Sequence, residues 1–123
     1  MQNIYIVSIG SNTNPGQNVT EVQKLLSEAF RNVRFSLFQW VPAIGNHYTQ
    51  AFYNGAVCFE SDLNIIELKP KLKEMEAKLG RTPEQKAQGI VPIDLDIIVC
   101  NQKIVHVDYE RFPFVRSAVD SLF

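Results

Sequence analysis

Asp94-Leu95-Asp96-Ile97-Ile98-Val99-Cys100 is β-branched and apolar apart from two carboxylates flanking Leu95. That alternation predicts a strand with one buried and one polar face at its start. Asn101-Gln102 and Lys103 to Val105 read as a short hairpin after it. Upstream, Ile65, Leu68, Leu72, Met75 and Leu79 step by three and four, predicting an amphipathic helix that Gly80 stops. Pro70 inside it predicts a kink, or a regular part beginning near Lys69. Phe52 to Glu60 reads as a strand closed by Ser61-Asp62. Before it, Val33 to Val41 reads as another, with Val33, Phe35, Leu37 and Gln39 on one face, until Pro42 and Gly45 open a loop. At the start, Asn3 to Ile9 is a β-rich run ending in turn-forming Gly10-Ser11-Asn12. A helix follows with the stripe Val19, Val22, Leu26 and Ala29/Phe30, and Asn18 as its N-cap. With Asp94 to Cys100 as the fourth strand, the order is β-α-β-β-α-β. This is the split βαβ of a ferredoxin-like α+β fold, an antiparallel sheet with two helices on one face.

A length of 123 residues, 46% of them hydrophobic, suits one domain over 1–123. Twelve basic against 13 acidic side chains, with no dense Lys/Arg run, argue against a nucleic-acid or anionic-membrane partner. The N-terminus has neither a basic lead-in nor a long apolar stretch, so the expected location is cytoplasmic. Cys58 and Cys100 lie in apolar strand-like runs and read as free thiols. Oligomeric state is not legible here.

Asp94 and Asp96, two apart on a strand, project from the same face about 7 Å apart, while Ile93, Leu95 and Ile97 project from the other. Such a pair suits two Mg²⁺ ions bridged by substrate phosphates, because Mg²⁺ keeps few protein ligands and takes its other oxygens from phosphate and water. For an isolated Asp-x-Asp, a solvated face is the commoner reading. Here it has ordered company. Gly10-Ser11-Asn12 follows the first strand, Phe52-Tyr53-Asn54 opens the third, and Glu76 precedes Leu79-Gly80-Arg81 at the end of the second helix.

From about Tyr5 to Cys100 this series resembles the 6-hydroxymethyl-7,8-dihydropterin pyrophosphokinase family of folate synthesis. The resemblance implies a ferredoxin-like fold and Mg²⁺-dependent transfer of pyrophosphate from ATP to the pterin hydroxymethyl, releasing AMP. It implies two Mg²⁺ ions held by Asp94 and Asp96, and places Asn54 at the pterin with Phe52 nearby. Pro42, Ile44 and Gly45 would lie along the same ring, in a loop where the family's threonine is Val41. Arg81 would join the acidic pair in catalysis as a phosphate clamp, although a cation past a helix C-terminus is also what the dipole favours. Glu76 borders the apolar helix face and points either to the metals or to solvent. Ser11 and Asn12 have site roles or are turn residues. Asn54 and Phe52 likewise have plain readings, as a strand-end turn former and as core.

Where the family has loop arginines and a stacking tryptophan, this chain has Pro83, Gln88 and Val91, with Lys86 the only cation besides Arg81 in the segment. The family's later Pro-His pair reads as Pro113-Phe114, and a further arginine position as Asp120. Arg111 and Arg116 are candidate substitutes, and His47 and His106 read as ordinary surface positions. Two alternatives follow: a weak or inactive relative that binds pterin or nucleotide, and a ferredoxin-like interaction module associating through its sheet edge.

Overall fold

The structure is a computed structural model and describes residues 2–43, 48 and 50–123; Ile44, Gly45 and His47 lie outside them. In chain order the elements are β1 (Asn3–Ser11), α1 (Pro15–Ala29), β2 (Arg31–Phe35), β3 (Gln39–Val41), β4 (Phe52–Ser61), α2 (Ile65–Lys78) and α3 (Pro83–Ala87). Then come β5 (Asp94–Cys100), β6 (Lys103–Ile104), α4 (Asp108–Arg111) and α5 (Pro113–Asp120). The sheet order is β2-β4-β1-β5-β6, with β3 also on β4, and every pairing is antiparallel. This is the expected α+β, ferredoxin-like sheet, with β1 at its centre.

Alternation along the strands divides the core into two layers. Tyr5, Val7, Ile9, Val57, Phe59, Leu95 and Ile97 face one side and meet Val19, Val22 and Leu26 of α1 and Leu68, Leu72 and Met75 of α2. Those helix residues are the stripes read from the sequence, and burying each large apolar side chain contributes about 1.5–3 kcal/mol. The other face carries Ile6, Ala56, Cys58, Ile98 and Val99, covered by Tyr109 of α4 and by Val115, Val119 and Leu122 of α5 and its exit. Ile98 and Val99 share this face because β5 bulges there: Ile6 pairs with Val99 and Val7 with Ile97, leaving Ile98 as the extra residue. Both cysteines are free. Among the described residues no helix is long and apolar enough to cross a membrane.

Several local expectations change. The N-cap of α1 is Asn14 in the left-handed region, not Asn18. Asparagine tolerates that conformation, and Pro15 and Gly16 then start the helix. Asn18 sits in the first turn, where its side-chain amide donates to Thr13 O at 2.7 Å. The single strand expected from Val33 to Val41 is two, β2 and β3. Ser36 ends the first: its N–H donates to Ala56 O, and its hydroxyl oxygen accepts from Ala56 N–H at 2.8 Å in place of a backbone carbonyl. Leu37 is consequently 93% exposed, and Phe38 turns over Gly55, where an added Cβ would meet the ring at 2.7 Å. Helix α2 runs through Pro70 from an Asn64–Glu67 capping box. The proline leaves Ile66 O without its helical donor, on a residue exposed enough for water to replace it. The segment after Gly80 contains α3, and the chain after β6 forms α4 and α5.

Candidate active site

The register of three central strands assembles the site. In β1, Gly10 lies between Asn54 of β4 and Asp94 of β5, and Ser8 lies between Ala56 and Asp96. Leu95 and Ile97 belong to the α1/α2 core, so Asp94 and Asp96 project from the opposite face. There they border a cavity of about 300 Å³ with Asn54, Phe52, Pro42, Val41 and Tyr48. Its remaining wall comes from the C-terminal helices, through Asp108, Arg111, Phe112 and Phe114. Gly10 permits the closest approach in this arrangement: a Cβ there would stand 2.5 Å from Asn54 Oδ1. Phe112 and Phe114 stack at 5.3 Å, the Arg111 guanidinium lies 5.1 Å from the Phe112 ring centre, and Tyr48 meets Phe52 edge-on at 5.1 Å. The cavity thus offers aromatic faces beside a carboxylate pair, at a volume near the low end for small-molecule sites.

Behind the carboxylates lies an ionic chain. Arg81 Nη1 donates to Asp94 Oδ1 at 2.7 Å and to Ile93 O at 3.1 Å, and stands 3.1 Å from Glu76 Oε2. Glu76 is 3% exposed, and its Oε2 accepts the Leu95 N–H at 2.7 Å. Of the two orientations open to Glu76, the inward one is realised, although it braces the start of β5 instead of lining the cavity. Burial raises the Glu76 pKa, against the opposing pull of the Leu95 N–H and Arg81. Burial works against the Arg81 charge, yet the hydrogen bond and charge of Asp94, with Glu76 and Asp96, raise its pKa overall. Asp96 is pushed up to about 7, first by burial, then by the Asp94 charge and hydrogen bond, with Asp108 and Glu76 adding to it.

Asn12 and Ser11 stand apart from the cavity. Asn12 is buried; its amide donates to Gly89 O at 2.8 Å, its Oδ1 accepts the Val91 N–H at 2.7 Å, and its own N–H donates to Val91 O. It clamps the α2–β5 connection to the end of β1. The Ser11 hydroxyl donates to Thr13 O within the turn. Asp94, Asp96, Asn54, Phe52 and Pro42 therefore meet in one cavity, Glu76 and Arg81 brace it, and Ser11 and Asn12 hold its approach. Residues not anticipated as lining it include Tyr48, Asp108, Phe112 and Phe114; Arg111, a candidate cation in the sequence, takes a place there. Arg116 points elsewhere, 3.9 Å from Asp120 and over the Tyr109 ring.

The donors suit Mg²⁺. Asp94 and Asp96 offer carboxylate oxygen, Arg81 engages Asp94 through Oδ1, and among the described residues no Lys or Arg pairs with Asp96 within 4.0 Å. No curated protein matches the chain. The family model for 7,8-dihydro-6-hydroxymethylpterin-pyrophosphokinase matches residues 6–122. Since that match runs from within β1 past the end of α5, the protein belongs to the 7,8-dihydro-6-hydroxymethylpterin-pyrophosphokinase family.

Proposed function

We propose that the chain transfers the pyrophosphoryl group of ATP to the hydroxymethyl oxygen of 6-hydroxymethyl-7,8-dihydropterin, using two Mg²⁺ ions at Asp94 and Asp96. Family membership supplies the reaction class, a pyrophosphokinase of folate biosynthesis acting with ATP and Mg²⁺. The observation that carries the reading to these residues is the shared cavity: aromatic faces from Phe52, Phe112 and Phe114 and the Asn54 amide open onto the space that Asp94 and Asp96 border.

The pterin stacks on those aromatic faces, and Asn54 offers a donor and an acceptor to its amide-like edge. Pro42 contributes an apolar wall. The hydroxymethyl oxygen attacks the β-phosphorus, forming an O–P bond and giving up its proton to solvent water, while the bond from the β-phosphorus to the α,β-bridging oxygen breaks and AMP leaves with that bond's electron pair. Asp94 and Asp96 would hold Mg²⁺, which would supply charge neutralisation and alignment for the transferring group. Arg111, which lines the cavity, would hydrogen-bond phosphate oxygens. Arg81 is a positioning residue rather than a phosphate clamp, since its guanidinium fixes Asp94 against Glu76 and Ile93 O. Ile44 and Gly45, outside the described residues, keep the pterin role only as the family resemblance implies it.

A second reading, a pterin- or nucleotide-binding relative with little turnover, has one observation in its favour. Arg111 is the sole cation among the described residues lining the cavity, and losing one transition-state contact costs about 10²–10³ in rate. The two readings separate in one experiment that follows AMP by chromatography while pterin, ATP or Mg²⁺ is omitted in turn. AMP release that requires all three supports transfer. ATP and pterin binding with no AMP leaves only the second reading, and AMP formed without pterin would replace both with hydrolysis.

A further inference from the structure

We infer that Asp96, His106 and Asp108 form a divalent-cation site with a nitrogen donor, so that one metal position of this chain takes a borderline ion such as Zn²⁺ or Co²⁺ without nucleotide. The inference rests on the proposed role of Asp96 as a metal ligand and adds two ligands to it. One ligand atom from each residue lies within 4.8 Å of the other two. They arrive from separate elements: Asp96 from β5, His106 from the turn after β6, and Asp108 from the first position of α4. The His106 and Asp108 side chains are 33% and 21% exposed, and Asp108, like Asp96, lines the cavity.

The chemistry of the cluster calls for a cation. His106 Nδ1 accepts the Asp108 backbone N–H at 3.1 Å, so that nitrogen carries a lone pair and no proton. The same nitrogen stands 3.6 Å from Asp108 Oδ2, an electron pair facing a carboxylate with no hydrogen between them. Among the described residues no Lys or Arg lies within 4.0 Å of the Asp96 or Asp108 carboxylate. Arg81 is held by Asp94 and Glu76, and Arg111 stacks on Phe112. Three electron-pair donors thus converge without a positive partner. A nitrogen and an oxygen each about 2.1 Å from one ion are separated by about 3–4 Å, which matches the His106–Asp108 spacing. Rotation of the Asp96 side chain closes the longer separations, and the ion displaces the Asp108 N–H from Nδ1. Imidazole with carboxylates favours Zn²⁺, Co²⁺ or Ni²⁺, whereas Mg²⁺ prefers an all-oxygen set.

The test uses the full chain free of nucleotide. Zn²⁺ and Mg²⁺ affinities are measured by calorimetry for the native protein, His106→Gln and Asp108→Asn, and histidine ring ¹⁵N resonances are followed as Zn²⁺ is added. The site predicts that Zn²⁺ shifts the His106 ring and that each variant binds Zn²⁺ at least about tenfold more weakly. Mg²⁺ affinity stays within about twofold for His106→Gln, because Mg²⁺ favours the oxygen ligands. Equal Zn²⁺ affinity in a folded variant, or a ring resonance unmoved by Zn²⁺, overturns the inference; Asp108→Asn decides if His106→Gln fails to fold. The catalytic reading fails separately: Zn²⁺ bound through His106 with no AMP formation keeps this site and removes that function, and the reverse result removes only this site.

Discussion

Replacing Gly10 with alanine introduces a methyl group where the Asn54 side chain already lies. The new Cβ would stand 2.5 Å from Asn54 Oδ1 and 3.8 Å from Phe52 Cδ1. Carbon–oxygen contacts close at about 3.3 Å, so Asn54 Oδ1 must retreat by about 0.8 Å or the amide must rotate. Gly10 is not among the glycines with positive φ, so its backbone accepts alanine. Pushing Asn54 off its rotamer costs about 0.5–1.5 kcal/mol, and the reduced freedom of the unfolded chain offsets about 0.4–1 kcal/mol. Net stability should therefore stay within about 1 kcal/mol of the native protein. Pterin binding has no such offset: one misdirected, desolvated hydrogen bond costs about 1–3 kcal/mol, a loss of about 5- to 150-fold in affinity. The assay pairs a pterin fluorescence titration with a thermal melt. Unchanged pterin affinity in a protein with a native melting temperature would refute the placement of Asn54 at the pterin. A collapse of the melting temperature would refute the reasoning differently, by showing that the backbone and not Asn54 yields.

Glu76→Ala removes the carboxylate that accepts the Leu95 N–H and faces Arg81; breaking such a buried pair should cost about 3 kcal/mol, measured as a fall in the denaturant midpoint at unchanged slope. A loss below about 0.5 kcal/mol would show that Arg81 and Leu95 N–H find other partners. Asn12→Ala releases Gly89 O and Val91 N–H, and amide exchange at Gly89 to Val91 should quicken far more than in β1, whereas uniform exchange across both would contradict a local clamp. For Asp96, the folded pKa of about 7 lies above its ordinary 3.8, so between those values the folded state binds a proton that the unfolded state has lost. Stability of the metal-free native protein relative to Asp96→Asn should therefore fall as pH rises from about 4 to about 7. A relative stability that rises across that window would overturn the assignment.

What was legible in the sequence is what depends on neighbours along the chain. The steps Leu68–Leu72–Met75 and Val19–Val22–Leu26 fix two helix faces, and Asp94–Leu95–Asp96 fixes which side of β5 is polar. Register between strands is a different matter: nothing local in Gly10, Asn54 or Asp94 says that β1 sets the first between the other two. Glu76, at the border of an apolar stripe, is turned inward by a β5 backbone N–H that its own helix does not encode. The break after Phe35 escaped because Ser36 supplies a side-chain oxygen where the alternation pattern presumes a carbonyl. The C-terminal wall was missed although Pro113, Val115, Val119 and Leu122 hold the signal of a helix begun by proline and striped at three and four. Two short helices give few repeats to read, and the roles of Phe112, Asp108 and His106 come only from folding back over the second sheet face.

The most direct measurement is AMP formation from ATP and 6-hydroxymethyl-7,8-dihydropterin with Mg²⁺, comparing the native chain with Asp94→Asn, Asp96→Asn together. Pyrophosphoryl transfer at this site predicts AMP and a pterin diphosphate in equal amounts from the native chain, and the loss of both from a folded double variant. AMP formation that survives the double substitution, or none from a native chain that binds both ligands, would contradict it.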